Sequence, residues 1–221
     1  MDTNITELSE RLTQWGATIE MLPGQVSPHT GNGSNWASAD WHWETRTYKV
    51  YFPVGYPFHG IYHELLHLVW AGIEGAGCLE VMPGVDSRVV ANIAEFNNDL
   101  DHAIVIPREI AIYPDAAGFW QADLDRTLRE TNFDDRSHLG TLKCKMTLFR
   151  GWLVLPHALP NYEITAEYRR RLSVNGWLEA ADRMTAGVQQ AGRDKMAAVR
   201  HLQSGLALDY LNESYCFQRT L

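Results

Sequence analysis

The sequence predicts an α+β fold, mostly α, with a small N-terminal sheet and a helical C-terminal half. Three observations predict it. Apolar residues recur at three- and four-residue spacing through most of the 221 positions. From Trp41 to Phe52 the β-branched and aromatic residues dominate instead. Gly176, Gly192 and Gly205 then punctuate a run of helical segments. One domain is expected over 1–221, with the sheet and the chemistry-bearing helices in 1–110 and a helical part in 111–221.

Taken in order, Asn4-Ile5-Thr6-Glu7 reads as a capping box, followed by Leu8, Leu12 and Trp15 at helical spacing up to Gly16. Ala17 to Leu22 reads as a short strand, and the Gly/Ser/Asn-rich His29 to Asn35 as a mobile loop. The apolar phase shifts between Trp43 and Tyr48, which places a hairpin or bulge near Glu44-Thr45-Arg46. These strands would roof whatever the next helix, about Phe58 to Ala71, carries. Gly72, Gly75, Gly77 and Pro83-Gly84 make an irregular stretch. Asp86 or Ser87 then caps a second helix, expected to stop at Pro107. Further helices are expected through Leu128, through Leu153 up to Pro156, and over Ile164–Leu172, Trp177–Val188, Met196–Leu202 and Leu206–Leu211.

The Phe58–Ala71 helix contains His63-Glu64-Leu65-Leu66-His67, the H-E-x-x-H pattern. Positions i and i+4 share one helix face, so both imidazoles can reach one ion. Zinc takes nitrogen ligands at about 2.0–2.1 Å, and an open site uses three protein ligands plus water. Glu64 is aimed beside such an ion, where it can take a proton from water whose pKa falls to roughly 7. Ile61, Tyr62, Leu65, Leu66, Leu68, Val69 and Trp70 make the helix apolar on almost every side, so it should be buried. Imidazoles in a core need polar partners, and an ion supplies one.

A third ligand must come from elsewhere, since Ile73 stands where the extended motif would need a histidine. Glu74 lies about 10 Å further along the helix axis than His67. Glu80, in the glycine-rich stretch, remains open. On the second helix Asn92, Glu95, Asp99 and His102 form a polar row beside the apolar stripe. Glu95 is the expected ligand, with Asp99 or His102 as alternatives. In the spacing Glu95-x-x-x-Asp99 the glutamate can bind an ion while the aspartate holds the other ring N–H of a liganding histidine.

The pair His63-Glu-Leu-Leu-His67 and Glu95-Phe-Asn-Asn-Asp99 resembles the gluzincin branch of zinc metallopeptidases. The stretch Glu95 to Ile110, with its aliphatic run before Pro107, is also similar to the ImmA/IrrE-type metallopeptidases, although no helix-turn-helix is detectable. The resemblance spans roughly residues 45 to 110 and implies a zincin-like core. It further implies Zn2+ held by His63, His67 and Glu95, Glu64 as general base, and a protein or peptide substrate. Such sites add a His or Tyr donor for the oxyanion, for which His102, Tyr113, His157 and Tyr162 are candidates.

The formal net charge of −8 disfavours nucleic acid and anionic membranes as partners. No apolar run approaches a membrane span, and the start Met1-Asp2-Thr3-Asn4 does not read as a secretory signal. Three widely spaced cysteines argue against a disulfide framework, which makes the cytoplasm the expected location. A competing reading is a non-catalytic zinc-binding interaction module, for which Glu64 would be superfluous. Deformylation fits poorly, because the cysteine ligand of that chemistry lies upstream of the helix, whereas Cys78, Cys144 and Cys216 all follow His67.

Overall fold

In the computed structural model Asp2, rather than Asn4, caps the first helix, α1 (Thr3–Gln14): its carboxylate accepts from Asn4 N at 2.9 Å and Ile5 N at 3.3 Å. An aspartate one step earlier reaches the first unsatisfied amides, so the helix starts there. The structure describes residues 2–28, 36–208 and 214–221. The His29–Asn35 stretch and the end of the segment expected through Leu211 lie outside them. The fold is α+β and mostly helical, and the chain divides into two compact units, Met1–Gly75 and Ala76–Leu221. The second helix of the polar row therefore belongs with the helical part.

The N-terminal unit holds α1, a three-stranded sheet and the H-E-x-x-H helix. Strands β1 (Thr18–Pro23), β2 (Ser38–His42) and β3 (Thr47–Phe52) take the order β1-β3-β2. β3 pairs parallel with β1 and antiparallel with β2, in register Trp41↔Tyr48. The hairpin turns at the expected Glu44–Arg46, where Arg46 adopts a left-handed φ of 49°. Arg46 lies 4.6 Å above the Trp15 ring, and Trp41 packs near Trp15, Trp43 and Tyr48. α2 (Phe58–Leu68) continues into one turn of π-helix, Val69–Ile73. There Gly72 is required by close approach, since a Cβ would meet the Trp15 ring at 2.5 Å.

The Ala76–Leu221 unit contains β4 (Cys78–Val81), α3 (Ser87–Ile112), α4 (Ala116–Glu130), α5 (His138–Ala158), α6 (Glu163–Val174), α7 (Leu178–Ala191), α8 (Lys195–Leu206) and β5 (Cys216–Arg219). α5 is central: Leu148, Phe149, Trp152, Leu153 and Leu155 are almost wholly enclosed, and α3, α4, α6, α7 and α8 all pack on it. Two expectations are corrected. α3 runs through Pro107 and α5 runs through Pro156. An internal proline costs about 3 kcal/mol, which burial of Val105 and Ile106 beside the first, and of Val154 and Leu155 beside the second, offsets.

The antiparallel pairing of β4 with β5, Cys78↔Arg219 through Val81↔Cys216, was not expected either. Under it lies a buried polar network. Lys195 Nζ contacts Asp101 Oδ1 at 2.8 Å and donates to Asn97 Oδ1 at 2.8 Å, which also accepts from Leu79 N at 2.9 Å. Gln218 accepts from Lys195 N and donates to the carbonyls of Ala76 and Arg193. No described helix is long and apolar enough to cross a membrane.

Candidate metal centre

α2 carries the two histidines as its spacing requires. His63 is buried, His67 is half-buried, and their Nε2 atoms converge to 3.0 Å with the rings tilted 74°. Two nitrogen ligands on one tetrahedral ion at 2.0–2.1 Å sit about 3.3 Å apart, so the ring pair is already close to a chelating geometry. Glu64, half-buried, lies one residue on. Its carbonyl accepts from the Tyr48 hydroxyl at 2.8 Å, which pins this turn of α2 to β3. The donor set, two imidazoles and an adjacent carboxylate on an enclosed helix, could hold a divalent ion.

On α3 the expected row is present but held differently. Arg150, from α5, reaches both carboxylates: Nη1 lies 3.0 Å from Glu95 Oε2, while Nε and Nη2 lie 2.6 and 3.1 Å from Asp99 Oδ2 and Oδ1. The Glu95 side chain is 56% exposed. To ligate an ion, Glu95 would have to leave that guanidinium, and Asp99 would have to do so to steady an imidazole. His102 is half-buried and packs at 5.4 Å on the Trp120 ring, whose indole N–H donates to the buried Glu109 at 2.8 Å. Glu80 pairs with Arg219 across the β4–β5 ladder at 2.7 Å. His157 and Tyr162 are exposed where α5 gives way to α6, and Tyr113 closes the C-terminus of α3.

Three features escaped the sequence. His59, buried one turn before His63, repeats the four-residue spacing and was there to be noticed. Arg150 carries no local signal, since it meets Glu95 across 55 residues. The Trp120–Glu109 contact is equally silent.

Burial, reinforced by the neighbouring Glu95, pushes Asp99 from its ordinary 3.8 up to about 6 against the pull of Arg150. A folded-state value above the unfolded one means that ionised Asp99 opposes folding. The unit should therefore gain stability as pH falls from 7 through 6 towards 4. Carboxyl 13C shifts should give Asp99 a midpoint near 6. Asp99→Asn should flatten that part of the stability profile, and a midpoint below about 4 would contradict the reading.

No family model, curated protein or solved structure matches this chain.

Proposed function

We propose that this chain is a zinc-dependent metallopeptidase with a zincin-like core that hydrolyses a peptide bond in a protein or peptide. One observation carries the reading: the Nε2 atoms of His63 and His67 converge to 3.0 Å on an enclosed helix, with Glu64 beside them. His63 and His67 hold the ion. The third ligand is a side chain of the α3 row. We assign His102, because both carboxylates of that row are engaged by Arg150; Glu95 is the alternative that the sequence pattern favours.

When bound, the ion supplies Lewis acidity and a lowered water pKa. Glu64 takes the proton of the attacking water and delivers it to the departing amine. The enclosing α2 side chains exclude bulk water around that transfer. Burial also pushes the Cys78, Cys144 and Cys216 thiols up, which keeps them protonated.

Elemental analysis of the purified chain tests the metal. The full chain should carry one zinc. His67→Ala and His102→Ala should lose it by at least about 10–100-fold in affinity, with Glu95→Gln little changed. Loss with Glu95→Gln and retention in His102→Ala would exchange the two assignments. Full zinc in His67→Ala would sink the site.

A further inference from the structure

The H-E-x-x-H helix is gripped at two points, both within the Met1–Gly75 unit. The first is the backbone carbonyl of Glu64, which accepts from the Tyr48 hydroxyl at 2.8 Å. The second is Gly72 in the π turn Val69–Ile73, where the Trp15 ring lies so close that a Cβ would meet it at 2.5 Å. That turn carries a wide backbone bond, from Glu74 N to Val69 O at 2.9 Å. Such turns are rare and recur at functional positions.

The two grips belong to one aromatic body. The ring centroids of Trp15 and Trp41 are 6.0 Å apart, and those of Trp41 and Tyr48 6.3 Å. Arg46, in the turn between β2 and β3, lies 4.6 Å over the Trp15 ring and donates from Nη2 to the Trp15 carbonyl at 3.3 Å. Tyr48 is buried, so its hydroxyl needs an acceptor inside the unit. The acceptor it has is the backbone of a residue between the two histidines. The contacts therefore close a circuit, from Tyr48 to Glu64, along α2 to Gly72, then through Trp15 and Trp41 back to Tyr48. His67 lies on the arc between the grips, and His63 directly precedes the first.

A pair of rings chelates well only when its separation is fixed before the ion arrives. The Nε2 atoms stand 3.0 Å apart, close to the separation of about 3.3 Å on a tetrahedral ion. Helix ends fray, and fraying of the last turn of α2 would swing His67 away from His63. The circuit blocks that motion from both sides.

We propose that Tyr48, backed by the Trp15–Trp41 pair, is a positioning residue for the metal centre, holding His63 and His67 at chelating separation through the backbone of α2. The proposal rests on the reading of those two histidines as ligands and is independent of any peptide substrate.

The full chain is titrated with Co2+, whose visible d–d absorption reads ligand geometry together with affinity, and then with Zn2+ as competitor. Tyr48→Phe removes only the hydroxyl. It should weaken Co2+ binding by about tenfold or more, the scale of contacts that support metal ligands, and alter the bands at saturation. Gly72→Ala, which drives the Trp15 ring off the π turn, should do the same. Ile5→Val, a buried change in α1 outside the circuit, should lower the melting temperature of the metal-free chain and leave affinity and bands as they were. Unchanged affinity in a folded Tyr48→Phe or Gly72→Ala protein, weaker binding with unaltered bands, or an equal loss in Ile5→Val overturns the brace and leaves the metal site standing. A full chain that takes up neither ion ends the metal reading and the brace with it.

Discussion

Glu64→Gln is expected to leave zinc bound and to lower peptide hydrolysis by about 10²–10⁴-fold, the usual contribution of a positioned general base. The substitution is nearly isosteric. The Tyr48 bond that anchors this turn goes to the Glu64 backbone carbonyl, so it survives the change. The His63–His67 pair lies on the same helix and keeps its 3.0 Å separation. What disappears is the group that accepts a proton from water. Metal content by elemental analysis and turnover on a peptide mixture should therefore part company in this variant. Undiminished turnover would rule out Glu64 as base, and loss of zinc alongside activity would mean that the side chain holds the site together instead.

The largest effect on stability is expected at Lys195. Its side chain is 2% exposed and its partner Asp101 5%. Lys195→Met keeps the length but takes the ammonium away from the buried Asp101 carboxylate, and it takes one donor from Asn97. Removing one member of a buried pair typically costs about 3–5 kcal/mol. The double change Lys195→Met with Asp101→Leu removes both charges and should recover most of that loss, because the desolvation penalty of each ion goes with it. Urea denaturation of the two proteins is the measurement. A loss under about 1 kcal/mol in the single variant would show that water reaches the pair.

What the sequence made legible was local. The spacing of Ile5, Leu8 and Leu12 buries all three along α1, and the phase shift after Trp43 marks the β2–β3 turn. His63 and His67 meet because four residues make about one helical turn. Pro107 and Pro156 misled in the other direction, since their local cost is overruled by the packing of the long helices that contain them. The claim of Arg150 on Glu95 and Asp99 spans more than fifty residues in sequence, and periodicity carries no trace of it. The same limit hid β4 and β5, four residues each, whose apolar content is too short to signal a strand unless the partner is known.

That last pairing has a kinetic consequence. Arg219 meets Glu80 across 139 positions and Gln218 meets Ala76 across 142, so the ladder closes a very long loop. Helical turns between them can form within about a microsecond from neighbouring residues, whereas a contact of such high order must wait until the ends are brought together. Hydrogen exchange during refolding should thus find the amides of 78–81 and 216–219 among the last to become protected, well after those of α5.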